Sequence, residues 1–186
     1  MAAVLPGNAE NYTIGGLRFY WTPDGGSELY FGNVVTGGFN SDITFLDHYT
    51  AKTGTRVKDR TIVQEITVQI NLTCDEPTVE LMNYFMLGGT ITVGSPSTFA
   101  PYTDLEKNGT ARLFGVSDTG NEFGWDMTSA TLKPDGDFSY NDQDWSQFSF
   151  ICEVLSYDYE PDAPYGTISH YGVGEDIDVS IPLPTN

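Results

Sequence analysis

Alternation of apolar and polar side chains predicts that this chain folds mainly into β-strands. The clearest case is residues 61–73, where Ile62, Ile66, Val68, Ile70 and Leu72 are separated by mostly polar positions. A period of two is typical of a strand with one buried face and one wet face. Residues 39–47 alternate in the same way. Further strands are predicted at 13–21, 28–35, 90–93, 110–117, 122–132 and 145–155, with an edge strand at 167–171.

The segment between the two alternating strands is polar. Residues 48–60 contain Gly54 near their middle and are too long for a tight hairpin turn. We therefore expect an extended, mobile hairpin loop at 48–60.

One helix is expected, at residues 76–87. Asp75 is a suitable N-cap, Pro77 suits the first turn, and Gly88 and Gly89 supply a stop signal. The predicted fold is a mainly β, antiparallel β-sandwich or half-barrel with this single flanking helix. We expect one domain over 1–186, with an N-terminal arm at 1–12 and an irregular C-terminal segment at 156–186.

The charge balance narrows the possible partners. The 186 residues include 26 acidic and 8 basic side chains, giving a formal charge of −18. Such a chain has few cations to bind nucleic acid phosphates, so its charge disfavours tight DNA binding. Because no apolar run of about 18 residues exists, no membrane helix is expected. The first ten residues lack the features of a secretory signal, and Cys74 and Cys152 are expected to be free, packed thiols.

The charges are segregated along the chain. Half of the basic side chains lie within nine positions, at Lys52, Arg56, Lys58 and Arg60, whereas residues 113–186 carry fourteen acids and one lysine. This segregation predicts that the basic segment of one copy contacts an acidic surface of another copy.

Catalytic chemistry has little support in the sequence. The two histidines, His48 and His170, lie in no nucleophile motif, and no phosphate-binding or dinucleotide motif occurs. We therefore expect no enzymatic activity, no catalytic residues and no cofactor. A calcium site is one hypothesis for four acids of one turn region, against a solvated acidic turn. These acids are Asp135, Asp137, Asp142 and Asp144.

Three motifs carry a resemblance to a known family. They are Tyr30-Phe-Gly-Asn-Val34, Leu46-Asp-His-Tyr49 and Gly54-Thr-Arg-Val-Lys-Asp-Arg-Thr61, followed by the alternating strand and the short helix. In these features, over residues 28–90, the chain resembles the major tail tube proteins of long-tailed bacteriophages.

The resemblance implies a structural, non-enzymatic virion protein, similar in fold to the tube protein of type VI secretion. Six copies would form a ring that completes a continuous β-barrel, and stacked rings would form the tail tube through which genomic DNA passes without specific binding. It implies assembly in the host cytoplasm and contacts with other tail proteins, namely the tape measure, terminator and distal tail proteins.

Two sets of residues are candidates, one for contacts between subunits and one for the lining of the lumen. The resemblance places residues of the 48–60 region in contacts with a neighbouring subunit or the next ring. These are Asp47, His48, Tyr49, Lys52, Arg56, Lys58, Asp59 and Arg60. A lumen lined by carboxylates would repel DNA phosphates, and the polar faces of the long strands supply candidates for that lining. These are Asp42, Glu65, Gln69, Glu122, Asp126 and Glu153.

Two alternative functions remain open. A carbohydrate-binding or receptor-binding β-sandwich would use Trp21, Trp125 and Trp145 as stacking platforms. A tail-terminator or capsid decoration protein would share the acidic, β-rich character. Self-assembly distinguishes these classes, because a binding module stays small in solution and a capping protein ends a stack.

Overall fold

A computed structural model of the chain describes residues 15–51, 54–117, 122–138, 146–157 and 162–171. These residues form eight β-strands and one short α-helix, and every strand pair is antiparallel. The predicted mainly β, antiparallel class with a single short helix is therefore confirmed for this part of the chain. The strands are β1 (Gly15–Pro23), β2 (Leu29–Tyr30), β3 (Val34–Thr50), β4 (Val57–Cys74), β5 (Lys107–Ser117), β6 (Glu122–Asp135), β7 (Phe148–Val154) and β8 (Thr167–Tyr171), and the helix is α1 (Val79–Phe85).

Six of the strands form a closed ring in the order β1-β3-β4-β7-β6-β5, because β5 also pairs with β1. The β1–β5 ladder runs from Gly15 opposite Ser117 to Pro23 opposite Gly109. The β1–β3 junction, in contrast, has a single registered pair, Leu17 opposite Val34. The sheet thus closes within one chain, with a narrow junction at β1–β3.

Aromatic side chains fill the body of the ring. Phe150 is fully buried, and its ring centroid lies 5.2 Å from that of Phe31 and 5.5 Å from that of Phe148 in edge-to-face geometry. Such pairs stabilise a core beyond their area burial. Cys74 and Cys152 are free and buried, as predicted, and burial raises the pKa of each thiol to about 12.

The helix is shorter than predicted. It spans Val79–Phe85 rather than 76–87, and Thr78 is the N-cap because its hydroxyl accepts a hydrogen bond from the Leu81 amide. The expected cap, Asp75, instead accepts a hydrogen bond of 2.8 Å from the Asn33 side chain. The prediction of Asp75 as the cap was therefore wrong, because its side chain is engaged by Asn33, between β2 and β3.

Two predicted strands are also corrected. The predicted strand at 28–35 is interrupted after Tyr30, because Gly32 adopts a φ of +68°, outside the strand region. A side chain at position 32 would also collide with Glu76. The 90–93 segment forms only an isolated bridge between Thr92 and Thr98. The predicted edge strand at 167–171 is confirmed as β8. The N-terminal arm and residues 158–161 and 172–186 of the C-terminal segment lie outside the described residues.

Candidate assembly surface

The most unusual feature of the molecule is a two-stranded ribbon, residues 39–66, that extends away from the ring. Within it β3 and β4 pair with each other, whereas β4 pairs with β7 only from Val68 onward and β3 pairs with β1 only at Val34. Thr50 lies eleven residues beyond Phe39, so the ribbon is about 35 Å long. Among the described strands, none pairs with its outer edges.

The ribbon corrects the predicted loop at 48–60. β3 continues to Thr50 and β4 begins at Val57, so residues 51–56 connect the two strands. Residues 52 and 53 of this connection are outside the described residues. His48 lies opposite Arg60 and Tyr49 opposite Lys58, with a bulge between these pairs. The loop was predicted from the polarity of the segment, and that prediction was wrong because a strand exposed on both faces can be as polar as a loop.

One face of the ribbon is apolar although it is exposed. Ile43 lies opposite Ile66 and Phe45 opposite Val63. Their exposed fractions are 44%, 39%, 57% and 50%, respectively. This apolar face continues the buried face of β4, which carries Ile70. Exposed apolar surface of this extent typically marks a contact with another molecule.

The opposite face of the ribbon carries two of the six candidate lumen residues, Asp42 and Glu65, and the exposed apolar pair Leu46 and Ile62 nearer its far end. Asp42, Glu65 and Gln69 share this face, since Asn40 lies opposite Gln69 and Thr44 opposite Glu65. The ladder continues from Gln69 to Glu153 on β7. These four of the six lumen candidates therefore lie on one continuous surface.

The other two lumen candidates lie elsewhere. Glu122 and Asp126 belong to the half of β6 that pairs with β5 and β8, away from the β4–β7 ladder. Asp126 accepts a hydrogen bond of 3.0 Å from Arg112, and Glu153 on the other surface is likewise ion-paired within the chain, with Lys133. The structure thus separates Glu122 and Asp126 from the other four.

The end of the ribbon carries the predicted contact residues. Asp47 forms an ion pair of 2.7 Å with Lys58, and His48 Nδ1 lies 2.6 Å from Asp59. The Arg56 guanidinium lies 4.3 Å from the centre of the Tyr49 ring. Lys52 is outside the described residues. Within the described part of the chain, neither Arg56 nor Arg60 forms an ion pair with a carboxylate.

The Asp47 carboxyl allows a pH prediction. Hydrogen bonds from Lys58 and Thr61 lower its pKa below the ordinary value of 3.8. The contacts of a carboxyl with a lowered pKa stabilise the fold above the pKa of the unfolded chain and are lost as the pH falls through the folded value. We therefore expect the contacts of Asp47 with Lys58 and Thr61 to weaken as the pH falls below 3.8. Lys58→Met should raise the pKa of Asp47 in an NMR titration, whereas Arg60→Met should leave it unchanged.

An acidic cleft lies at the other end of the ring. It has a volume of about 1210 Å³, and its lining includes Asp24, Glu28, Glu80, Asp104 and Glu106. The start of β5 borders the cleft, whereas the end of β5, at Gly115 opposite Phe123, lies on the ribbon side. The one lysine of the lining, Lys107, is buried and ion-paired with Asp104. No sequence pattern indicates this cleft, because its residues come from distant segments.

The other candidate sites receive less support. Trp21 is fully buried and Trp125 is 9% exposed, which removes two of the three proposed stacking platforms, and Trp145 is outside the described residues. No three His, Cys, Asp or Glu side chains in the described ranges are placed to hold a metal ion. Of the proposed calcium cluster, Asp142 and Asp144 lie outside those ranges.

Within the described part of the chain, the structure contains no helix that is long and apolar enough to span a membrane. No protein-family model matches the sequence, and no curated protein matches it either. The function of the chain has therefore to be inferred from its own residues and their geometry.

Proposed function

We propose that the protein is a structural, non-enzymatic subunit of a bacteriophage tail tube, which polymerises as stacked hexameric rings. The ribbon carries this proposal, because no described strand pairs with either of its edges and one of its faces is apolar and exposed. The resemblance of residues 28–90 to major tail tube proteins supports it. The protein would then be assembled in the host cytoplasm, reside in the virion and contact other tail proteins at the ends of the tube.

A ribbon of this kind is poorly suited to exist alone. An isolated two-stranded hairpin is marginally stable in water, and open strand edges invite pairing with another chain. Ribbons of adjacent copies placed side by side would pair these edges and cover Ile43, Phe45, Val63 and Ile66. Six ribbons closed into one continuous β-barrel would leave no open edge.

The charge distribution is consistent with a conduit for DNA. With its apolar face covered by protein, the ribbon would direct Asp42 and Glu65 to the lumen, with Gln69 and Glu153 on the same surface nearer the ring. Carboxylates lining the lumen would repel phosphates, so DNA would pass without binding. Glu122 and Asp126 are not part of this proposed lining.

The two ends of the molecule suggest how rings would stack. The ribbon contains four acidic and four basic residues, so the remainder of the chain carries the whole charge of −18. Arg56 and Arg60 lie at the far end of the ribbon, and the acidic cleft lies at the opposite end of the ring. A contact between unlike surfaces at opposite ends of successive copies can repeat along one direction and would then generate a stack.

Charge reversal at Arg56 and Arg60 tests this stacking contact. We expect the Arg56→Glu/Arg60→Glu variant to fold and to raise the protein concentration needed for tube formation by about tenfold or more, equivalent to ~1.4 kcal/mol. The matched comparison is between the single variants Arg56→Glu and Arg18→Glu, because Arg18 is exposed on the ring and its reversal changes the net charge equally. Sedimentation at several salt concentrations provides the measurement. Equal assembly of the two variants would contradict the contact.

Negative-stain electron microscopy of the purified protein tests the proposed function as a whole. Rings or tubes at high protein concentration are expected. A monomer that persists at every concentration would overturn the proposal. The same experiment distinguishes a capping or decoration protein, which would not polymerise by itself.

A further inference from the structure

An apolar cavity of about 650 Å³ opens at the end of the ring from which the ribbon extends. Its lining includes Leu17, Phe39, Leu113, Phe123, Trp125 and Ile168. Phe39 is 73% exposed, Ile168 65% and Phe123 55%, so water contacts a large apolar area. Apolar surface concentrated in one concave site indicates that something apolar covers it.

The strand arrangement leaves a gap beside this cavity. One edge of β6 pairs with β5, and the other edge pairs with β7 along Ala130–Asp135 and with β8 along Glu122–Asp126. β8 therefore takes the place of β7 at this end of the ring, because β7 ends at Val154. Among the described strands, β8 pairs only with β6, so its second edge is open.

The chain itself supplies a segment that fits this gap. The last described residue of β8, Tyr171, lies opposite Glu122 at the cavity end of the ring, and fifteen residues follow it. Within residues 176–183, apolar side chains alternate strictly with other residues. The apolar ones are Ile177, Val179, Ile181 and Leu183. This period of two predicts a strand with one apolar face.

We propose that residues 176–180 of the same chain pair with the open edge of β8 and cover the cavity with Ile177 and Val179. Residues 172–175, which include Gly172 and Gly174, would form the connecting turn. A turn of four residues places Ile177 opposite His170 and Val179 opposite Ile168. Residues opposite each other in an antiparallel pair share a face, so both apolar side chains would lie on the cavity side with Ile168.

The short connection favours this occupant over others. Ile177 lies six positions after Tyr171, a span of at most about 20 Å, so the segment stays near the cavity at a high effective concentration. Residues 1–14 also leave from this end, at Gly15, but they contain no run of four alternating apolar side chains. The proposal does not depend on the tail tube function.

Thiol labelling in the full-length protein tests the proposal. Ile168→Cys places a reporter on the cavity wall, and the native Cys74 and Cys152 give little background because both are buried with raised pKa values. In dilute protein we expect a maleimide to label the reporter about tenfold more slowly than when Ile177→Ser/Val179→Ser is added. The matched control, Asp176→Ser/Asp178→Ser, changes the other face and should preserve the slow rate.

Several outcomes would overturn the proposal. One is a reporter that reacts as fast as a free surface thiol and does not respond to Ile177→Ser/Val179→Ser. Protection that grows with protein concentration would assign the cavity to a second copy. Protection lost through Val4→Ser/Leu5→Ser instead would assign it to the N-terminal residues. Amide exchange of β8 in the unsubstituted protein is a second measurement, in which slow exchange at both strand edges is expected.

Discussion

Replacing both Phe45 and Val63 by serine is expected to abolish assembly and to leave the ring folded. The two side chains lie opposite each other on the apolar face of the ribbon, and both are at least half exposed in the single chain. Their truncation therefore removes little packing from the monomer. In the proposed tube the same side chains are covered by adjacent copies, and loss of central apolar contacts of this kind weakens an interface by about 2 kcal/mol or more.

The measurement combines size-exclusion chromatography with negative-stain microscopy across a range of protein concentrations. Circular dichroism should show the same β content for the variant and the parent protein. Thr44→Ser/Glu65→Ser is the matched control, because these residues also lie opposite each other but on the other face. This control should assemble normally. Tubes of ordinary yield from Phe45→Ser/Val63→Ser would remove the ribbon from the proposed interface.

Truncation of Phe150 to alanine is expected to reduce the free energy of unfolding by about 3–5 kcal/mol. Phe150 has no solvent exposure, and its ring contacts those of Phe31, Phe85 and Phe148. Alanine would leave a cavity in the middle of this cluster and remove three aromatic contacts. Because small domains have little stability in reserve, such a loss would leave much of the protein unfolded near physiological temperature.

Urea denaturation of dilute protein provides the measurement for Phe150. Phe150→Leu is the matched control, since it keeps most of the volume and should cost no more than about 1.5 kcal/mol. Equal losses for alanine and leucine would show that the cluster repacks around the smaller side chain. Phe45→Ala, on the exposed ribbon, should change stability by much less than Phe150→Ala under the same conditions.

The helix and the 28–35 segment show why element boundaries were only partly predictable. Asp75, Glu76 and Thr78 are all suitable residues for the start of a helix, and the sequence ranks them by local preference alone. In the structure, the Asp75 side chain bonds to Asn33, and Glu76 packs against Gly32. Both contacts join segments that are more than forty residues apart, so no local pattern contained them.

The candidate assembly surface was predictable in its residues but not in its form. Alternation correctly placed Ile66 on one face of β4 and Glu65 on the other. It also implied that the apolar face is buried throughout, whereas burial within the chain ends near Val68. The residues from His48 to Arg60 were expected in a loop, yet most belong to the paired strands of the ribbon. The acidic cleft had no sequence signal at all.

A bulge in the ribbon places Val63 on the face of Ile66 and Ile62 on the face of Glu65, against strict alternation. The sequence by itself determined the antiparallel β character, the two faces of β4 from Glu65 onward, the packed thiols and the strong net negative charge. These properties are set by residue type and by the period of two, which are local. Only the tertiary structure decided that β5 returns to β1, that the β3–β4 ribbon leaves the ring, and that Glu122 and Asp126 lie apart from Asp42. These features depend on backbone hydrogen bonds between distant strands. Because nearly every residue type has the same backbone groups, the order of side chains contains little information about which strands pair.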